Sequence, residues 1–418
     1  MSRPLLVIAD DLSGAADCAA GFAPRVSTRV CLRAPEGEHG QVTAVDLDTR
    51  RLPATEAARR NRALLDNPLW SGHALYKKID STLRGNVVAE VTALLGRGMA
   101  LVAPAFPAMA RTTVGAVQLL DGVAVDRSDV WRNESLSGSA DLQALFSEQG
   151  LLCAHLSLDE VRTRLLPRQL LDHLHRGTQV LICDAERDED LRALAQASAS
   201  LAERLFWVGS AGLAQHLPEA LGLPEAKRLA QPEPATPVLT VVGSMSRHSQ
   251  AQATLLAERS GQGWVRIDPQ VLLASDADAR RAALQQQLHD VLQAGNDLLV
   301  SLEQADRDAS QAAALSNALA ALLQPLLAHA GALVATGGET ARALLGAAGI
   351  DALLLDGELA PGVVLSRAQH AQRTLAVVTK AGGFGQPDTL YQAWAALRPV
   401  SDPTSPHVQN NREESQHV

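Results

Sequence analysis

The chain has 418 residues, a length that exceeds one ordinary hydrophobic core and predicts two or three domains. Hydrophobic residues make up 46% of the sequence and charged residues 20%, a balance typical of a globular protein and not of a disordered one. The formal net charge is −9 and no long basic block occurs, so we expect no nucleic-acid partner.

The beginning of the chain and its cysteines indicate where the protein resides. The first residues run directly into an apolar strand, without a signal-peptide pattern, and no apolar run approaches the length of a membrane span. The cysteines are far apart and form no CxxC pair, which is typical of reduced thiols. They are Cys18, Cys31, Cys153 and Cys183. The sequence therefore predicts a cytoplasmic protein without a membrane partner.

In the first half of the chain, short apolar runs alternate with amphipathic stretches. The predicted strands are residues 5–9, 42–47, 73–76, 100–103 and 179–183. The predicted helices are residues 55–65, 87–95, 161–173 and 190–202. Continuous apolar strands between amphipathic helices indicate a parallel sheet covered on both faces, so the predicted fold class is α/β.

The pattern is interrupted once and then resumes. Residues 223–237 contain four prolines and several charges without usable periodicity, as in an interdomain linker. After it, the predicted strands are residues 238–242, 298–301, 333–336, 352–355 and 375–379, with long helices around 279–292 and 309–328. We expect one domain over residues 1–223, a linker over 224–237, a second domain over 238–400 and a polar tail over 401–418. Each domain is expected to be a mostly parallel sheet flanked by helices, with the active site in the cleft between them.

Polar clusters follow the strands of the first domain, where ligands bind in open α/β sheets. Asp10 and Asp11 follow the first strand, Arg50 follows the second, and the segment KKIDSTLRGN, residues 77–86, ends another. One acid could simply cap a helix, and Ser81 or Thr82 could cap the helix after KKIDSTLRGN in a solvated turn. Taken together, the clusters favour a pocket for a small, anionic, polyhydroxylated ligand.

Glycine-containing loops follow three strands of the second domain. They read VVGSMS at residues 241–246, TGGET at 336–340 and KAGGFG at 380–385. Glycines between a strand and a helix let backbone N–H groups approach a phosphate, although a single such loop could be a turn without a ligand. Three of them in one domain favour nucleotide binding. Neither a P-loop nor a G-x-G-x-x-G fingerprint occurs after the first strand.

These segments together resemble the four-carbon acid sugar kinase family. The resemblance rests on IADDLSGAAD, KKIDSTLRGN, APAFP…RTTVG, VVGSMS, TGGET and KAGGFG, which occur in the family's order over nearly the whole chain. It implies an N-terminal sugar-acid-binding domain and a C-terminal nucleotide-binding domain. It also implies ATP-dependent phosphorylation of the terminal hydroxyl of D-threonate, D-erythronate or a 3-oxo-tetronate. KKIDSTLRGN is more similar to the threonate and erythronate kinases, while residues 118–125 lack a proline that is common in the family.

The resemblance also implies roles for individual residues. Those expected to hold the sugar acid are Asp10, Asp11, Arg50, Lys78, Asp80, Ser81, Thr82, Leu83 and Arg84. Those expected to hold ATP are Ser244, Gly337, Gly338, Glu339, Thr340, Gly382 and Gly383. Asp80 or Asp11 is the candidate base, and Arg84 is the favoured ligand of the substrate carboxylate because its planar fork can bind two oxygens. Mg²⁺ is expected with ATP, but the sequence does not identify its ligands.

Two functions from other classes are weighed against a kinase. A non-catalytic sugar-acid sensor would keep the charges of the first domain but would not need three glycine loops in the second. A nicotinamide-dependent oxidoreductase would need a dinucleotide fingerprint, which is absent from the sequence. The sequence leaves open whether the chain forms a homodimer.

Overall fold

The computed structural model describes residues 3–35, 37, 40–133, 138–227, 232–244, 246–303 and 311–398. The expected polar tail and residues 228–231 of the expected linker lie outside these ranges. The described linker residues, 224–227 and 232–237, contain no helix or strand.

The N-terminal half is built on a parallel sheet, because its strands are apolar on both faces and are separated by helices. Its strands, with those of a small hairpin sheet, are β1 Leu5–Ala9, β2 Thr28–Cys31, β3 Val42–Asp46, β4 Ala74–Lys78, β5 Met99–Ala103, β6 Arg111–Val114, β7 Val117–Leu120, β8 Val123–Ala124, β9 Cys153–Leu156, β10 Val180–Cys183 and β11 Leu205–Gly209. The large sheet has the order β2-β3-β1-β4-β11-β5-β10-β9, with every neighbouring pair parallel. The antiparallel strands β6, β7 and β8 form the separate small sheet.

Helices cover both faces of this sheet. They are α1 Leu12–Ala20, α2 Ala54–Leu65, α3 Val87–Leu94, α4 Asp129–Asn133, α5 Leu142–Ser147, α6 Leu158–Val161, α7 Leu166–His175, α8 Asp188–Ser198, α9 Ala211–Ala214 and α10 Leu217–Ala220. The prediction of one continuous helix over residues 161–173 is wrong, because α6 ends at Val161 and α7 begins only at Leu166. Pro167 then lies in the first turn of α7, where its missing N–H costs no hydrogen bond.

The C-terminal half contains a second, mixed sheet. Its strands are β12 Val238–Val242, β13 Gly263–Ile267, β14 Leu298–Leu302, β15 Ala332–Thr336, β16 Ala352–Ala360, β17 Val363–His370 and β18 Arg373–Lys380. Its helices are α11 Arg247–Ser260, α12 Pro269–Leu273, α13 Asp278–Gln293, α14 Ala312–Leu323, α15 Gly338–Ala347 and α16 Thr389–Ala396. The order β13-β14-β12-β15-β18 is parallel, whereas β18, β17 and β16 form an antiparallel meander.

Short 3₁₀ helices complete several connections. They are Pro68–Trp70, Leu95–Arg97, Pro107–Met109, Val125–Arg127, Ala199–Leu201 and Gln324–Ala328. The last of them replaces the end of the helix predicted at 309–328, since Pro325 cannot continue the hydrogen bonding of α14. Among the helices that the structure describes, none combines the length and the apolar character needed to span a bilayer. The four cysteines are free, as predicted, and three of them are buried.

The two halves are joined edge to edge. Strand β16 of the C-terminal half pairs antiparallel with β2 of the N-terminal half, with Leu353 opposite Val30. Within the described residues this pairing makes one sheet of 15 strands. Helix α1 packs against β1, β2 and β3 of its own half and against α15, β16 and β17 of the other. The α/β prediction is confirmed and the strands of each half are mostly parallel, but the sequence did not predict the antiparallel pairing of β2 with β16 that joins the halves into one sheet.

An ion pair also crosses between the halves. Arg342 on α15 donates to the Asp46 carboxylate at the end of β3, to the Leu32 carbonyl at 3.1 Å, and lies 3.1 Å from Asp48 Oδ2. The Asp46 side chain is fully buried, and this burial raises the pKa of Asp46 to about 7 despite the neighbouring guanidinium. The ionised form of Asp46 therefore depends on Arg342.

We expect Arg342→Met to lower the free energy of unfolding by about 3–5 kcal/mol at pH 8, because it leaves a buried carboxylate without its partner. Because the pKa of Asp46 is raised to about 7 in the folded protein, the folded state holds a proton below pH 7 that the unfolded chain has already released. The free energy of unfolding contributed by this proton is lost as the pH rises through 7. The penalty of the substitution should accordingly be smaller at pH 6, where Asp46 can protonate. Urea unfolding followed by tryptophan fluorescence at both pH values measures it.

Arg51→Met is the matched control, since Arg51 also pairs across the halves, with Glu339 at 2.6 Å, but both side chains are about half exposed. Its loss should stay below about 1 kcal/mol. Equal losses in the two variants, or a loss for Arg342→Met that does not depend on pH, would contradict the role of Asp46.

Candidate active site

The site lies where the order of the strands changes direction. Strand β1 has β3 on one side and β4 on the other, so the loops after these three strands open a crevice at the carboxyl edge of the sheet. Asp10 and Asp11 follow β1, Arg50 follows β3, and KKIDSTLRGN contains the end of β4. The polar clusters predicted from the sequence are therefore brought together by the sheet topology.

Arg50 holds the two adjacent acids in place. Its Nε and Nη2 donate to the two oxygens of Asp10 at 2.8 and 2.9 Å, and Nη2 also donates to Asp11 Oδ1 at 2.8 Å. Burial opposes ionisation of Asp10, but the guanidinium outweighs it and holds the pKa of Asp10 below its usual range. The fork of Arg50 is thus used inside the protein and not left open for a ligand.

A second bidentate pair lies within KKIDSTLRGN. Arg84 Nε and Nη2 donate to the oxygens of Asp80 at 2.9 and 2.8 Å, and the Thr82 hydroxyl also donates to Asp80. Burial alone would raise the pKa of Asp80, but the neighbouring Arg84 guanidinium holds it well below its usual range. Helix α3 begins only after Asn86, so neither Ser81 nor Thr82 caps it as the turn alternative required.

The loop after β4 is fixed by hydrogen bonds to its backbone. The Ser81 carbonyl accepts from Gln118 Nε2 at 2.8 Å, and the Thr82 carbonyl accepts from Trp131 Nε1 at 2.6 Å. Leu83 has a φ of 59°, which places it in the left-handed region. Gln118 belongs to the hairpin formed by β7 and β8, so the segment without the family's proline supports the loop.

The two lysines of KKIDSTLRGN have different surroundings, because successive side chains of a strand point to opposite faces. Lys77 is fully buried and pairs with Glu90 at 2.7 Å. Lys78 is also buried, but its Nζ donates to the Ile79 carbonyl at 2.9 Å and forms no ion pair with any described residue. Lys78 lies against the first turn of α1, beside Gly14. It therefore offers a cation that no carboxylate among the described residues neutralises by direct contact.

Asp11 connects the two halves. It caps α1, because its Oδ1 accepts from the Gly14 N–H at 3.0 Å. Its Oδ2 faces the other half: a Cβ built on Gly338 would lie 3.1 Å from Asp11 Oδ2 and 2.9 Å from Ser13 Oγ. The start of α15 therefore approaches the start of α1 so closely that only a glycine fits without displacing Ser13.

The three glycine loops also converge, because they follow strands that are neighbours in the sheet. Strand β15 lies between β12 and β18. A Cβ built on Gly337 would lie 3.7 Å from Ser244 Cβ, and one built on Gly382 would lie 3.0 Å from the same atom. All three loops therefore meet at Ser244. A Cβ on Gly243 would lie 1.9 Å from Thr340 Oγ1, and the first loop can pack against α15 only because position 243 is a glycine.

Two helix N-termini point to the same region. Ser246 caps α11 through a hydrogen bond from the Ser249 N–H at 3.1 Å, and α15 begins at Gly338. The free N–H groups and the dipole of a helix N-terminus attract phosphate. Lys380, which sequence reasoning did not assign, ends β18 beside these loops with an exposure of 1%. Burial lowers the pKa of Lys380 to about 8, and its Nζ donates only to the Ala381 carbonyl, at 2.9 Å, among the described residues.

A cavity of about 50 Å³ lies between the halves. The N-terminal half lines it with Asp11, Asp17, Lys78 and Asp80 among others, and the C-terminal half contributes Ala381 and Phe384. Asp17, Ala381 and Phe384 were not assigned from the sequence. Two features of the sequence could have indicated these residues: Asp17 is an acid within a helix of small residues, and Ala381 and Phe384 belong to the last glycine loop.

A larger groove, of about 640 Å³, lies between α2 and α3 on the outer side of the N-terminal half. Its lining is mostly apolar and includes neither the paired acids nor the glycine loops. We therefore place the candidate site at the smaller cavity, where polar groups of both halves converge. No group of three or more His, Cys, Asp or Glu side chains suited to a metal occurs among the described residues.

Two family models match the chain, one in each half. Residues 5–217 match a sugar-binding N-terminal domain and residues 239–390 match a nucleotide-binding C-terminal domain. A D-threonate kinase of Cupriavidus necator is 44% identical over 96% of this chain and 99% of its own length. The chain belongs to the four-carbon acid sugar kinase family.

A second sequence and a solved structure extend this comparison. A D-threonate kinase of Salmonella typhimurium is 30% identical over 93% of this chain and 97% of its own length. A solved structure from Salmonella typhimurium covers 93% of this chain and 98% of its own, with a TM-score of 0.79 at 21% identity. That structure shows that the two-part fold is shared.

Gly243→Ala should weaken nucleotide binding about 5- to 150-fold, because overpacking of this kind typically costs about 1–3 kcal/mol. The added methyl would displace Thr340 and separate two of the three loops. Calorimetry with an ATP analogue measures the change. Gly346→Ala, in α15 with open space around it, is the control and should bind as the wild type does. Unchanged affinity in a folded Gly243→Ala protein would show that the loops do not hold the nucleotide.

Proposed function

We propose that the protein is an ATP-dependent kinase that phosphorylates the terminal 4-hydroxyl of a four-carbon sugar acid, D-threonate or D-erythronate. The observation that carries this proposal is the meeting of Asp11 and Ser13 with Gly338. It places the acid-rich edge of the sugar-binding half against the glycine loops of the nucleotide-binding half. A hydroxyl held on one side and a phosphate held on the other would then be neighbours, and proximity supplies much of the catalysis of phosphoryl transfer.

The nucleotide-binding half offers the groups that a triphosphate needs. The starts of α11 and α15 supply backbone N–H donors, and Lys380 supplies a buried cation without an ion-pair partner among the described residues. Glu339 and Ser244 offer hard oxygen donors beside the loops, the type that Mg²⁺ prefers, and would help to hold the ion. A bound Mg²⁺ would supply positive charge that offsets the charge of the triphosphate.

On the acceptor side, the structure favours Lys78 over Arg84 as the ligand of the substrate carboxylate. Arg84 already uses its fork on Asp80, and Arg50 uses its fork on Asp10. Lys78 lines the cavity, and its ammonium group donates only one hydrogen bond within the described protein. A buried ammonium with spare donors is stabilised by an anionic ligand. In this arrangement Asp80 and Arg84 position the loop.

For the base, the structure favours Asp11 over Asp80. The oxygens of Asp80 are occupied by Arg84 and Thr82, whose hydrogen bonds stabilise the ionised carboxylate and make it a weak proton acceptor. Asp11 uses Oδ1 for the helix cap and for Arg50, while Oδ2 faces the glycine loop. This arrangement supports Asp11 Oδ2 as the acceptor of the hydroxyl proton while the hydroxyl oxygen bonds to the γ-phosphorus and the bond from that phosphorus to ADP breaks.

The cavity also constrains how the substrate enters. A volume of about 50 Å³ holds on the order of three or four water molecules, which is less than a four-carbon acid requires. The groups around the cavity must therefore shift outward to admit the acid and return for transfer. Exclusion of water after closure favours transfer to the acid over hydrolysis of the nucleotide.

The activity is tested by incubating the purified protein with ATP and Mg²⁺ and scoring ADP formation with D-threonate, D-erythronate and a 3-oxo-tetronate. We expect ADP formation with D-threonate or D-erythronate and a 4-phosphorylated product by mass spectrometry. The 44% identity to a D-threonate kinase supports D-threonate as the first acid to try. If none of these acids stimulates ADP formation, the proposal fails.

Asp11→Asn should lower kcat about 10²- to 10⁴-fold, because it removes the proton acceptor and keeps the shape of the side chain. Asp80→Asn should instead raise KM for the acid, since it breaks the pair that fixes the loop. Steady-state kinetics with either substrate varied separates the two effects. A larger fall in kcat for Asp80→Asn than for Asp11→Asn would reverse the assignment.

Lys78→Met serves as the binding control for this comparison. It should raise KM for the acid by about 10- to 150-fold while kcat stays within a few-fold of wild type, as expected for the loss of a hydrogen bond to a charged group. The affinity for ATP should not change in this variant. An unchanged KM for the acid would remove Lys78 from the site.

A further inference from the structure

Asp17 is an acid in an unusual place. It lies in the middle of α1, whose other residues are apolar or small, and it lines the cavity together with Asp11 and Lys78. Its Oδ1 is buried and has no hydrogen-bond partner among the described residues. A buried carboxylate oxygen without a partner is costly, so native proteins keep one mainly where a ligand or a bound water completes it.

The neighbouring acids do not share this property. Both oxygens of Asp10 are occupied by Arg50, and both oxygens of Asp80 are occupied by Arg84. Those two acids are therefore held by the protein itself. Asp17 remains as an acceptor at the cavity with an oxygen that no described protein group uses.

The charges around Asp17 decide when it is ionised. Burial raises the pKa of Asp17 to about 6, with Lys78 acting against the rise and Asp11 adding to it. The other titratable groups that face it are Tyr76 on β4, Cys18 on α1 and Glu358 on β16. Burial, together with repulsion from Asp17, raises the pKa of Glu358 to about 7. At neutral pH Asp17 is therefore mostly ionised and can only accept hydrogen bonds.

We propose that Asp17 accepts a hydrogen bond from a hydroxyl group on the carbon chain of the bound acid and so selects hydroxylated acids, an inference that rests on the proposed function. Lys78 would hold the carboxylate, Asp11 the terminal hydroxyl and Asp17 a hydroxyl between them. A site built to bind a substrate hydroxyl strongly disfavours the analogue that lacks it, because its own polar group then stays unpaired.

The test is a double-mutant cycle in which one change is made in the protein and the other in the ligand. Binding of D-threonate and of its 2-deoxy, 3-deoxy and 4-deoxy analogues is measured by calorimetry, without nucleotide, for wild type and Asp17→Ala. We expect Asp17→Ala to weaken binding of D-threonate about 10- to 150-fold and to weaken binding of either the 2-deoxy or the 3-deoxy analogue much less, because that analogue lacks the contacted hydroxyl. Equal losses for all four ligands, no loss, or the smallest loss for the 4-deoxy analogue overturns the proposal.

The pH dependence gives a second readout that a merely structural role would not produce. The affinity of the wild type for the acid should fall as the pH drops through about 6, because protonation of Asp17 removes the negative charge that strengthens the hydrogen bond it accepts. Asp17→Asn should lack this fall, whereas Glu358→Gln should keep it. Loss of the fall in Glu358→Gln together with its persistence in Asp17→Asn would transfer the titration to Glu358 and overturn the assignment.

The experiment separates this inference from the proposed function. If the wild type binds the acid but forms no ADP, the kinase proposal fails and the Asp17 contact is still decided by the cycle. If the wild type phosphorylates the acid but Asp17→Ala binds it normally, only the Asp17 inference fails. If no four-carbon acid binds to the wild type, both are overturned.

Discussion

The position of helix α1 is the constraint on which the rest of the site depends. Its residues are mostly small and buried, so the helix can lie close to the sheet of its own half and to α15, β16 and β17 of the other. Its first turn carries Asp11 and Ser13 to Gly338, and its next turn carries Asp17 to the cavity. A larger residue on the side of α1 that packs against α15, β16 and β17 would therefore disturb the contact between the halves.

The charges of the site divide into two kinds with different roles. The first kind forms bidentate pairs, Arg50 with Asp10 and Arg84 with Asp80. Within each pair the two charges neutralise one another, and the paired hydrogen bonds stiffen the loops. Lys78, Lys380 and Asp17 are buried groups without such a partner in the described protein. The cost of burying the second kind is offset only when a ligand of opposite or complementary character is present. This division separates positioning residues from binding residues at the same strand ends.

Much of this arrangement was predictable, because the carboxyl ends of parallel strands meet at one edge whatever the details of packing. That rule, with the family resemblance, was sufficient to nominate Asp10, Asp11, Lys78 and the glycine loops. The partner of each charge was not predictable: the fork of Arg84 was expected to be free, and the loop turns it back onto Asp80. The antiparallel meander of β16, β17 and β18 was missed, because only a short part of it reads as continuous and apolar.

The strand pairing between β2 and β16 has a consequence for how the molecule comes apart. The halves are held by backbone hydrogen bonds, by the buried pair of Arg342 with Asp46 and by the packing of α1, none of which requires the peptide bonds of residues 224–237. The two halves are thus held together by these contacts and not only by the covalent connection between them. A chain cut in that segment would remain a single particle under native conditions, and two polypeptides produced separately would have a template for reassembly in the exposed edges of β2 and β16.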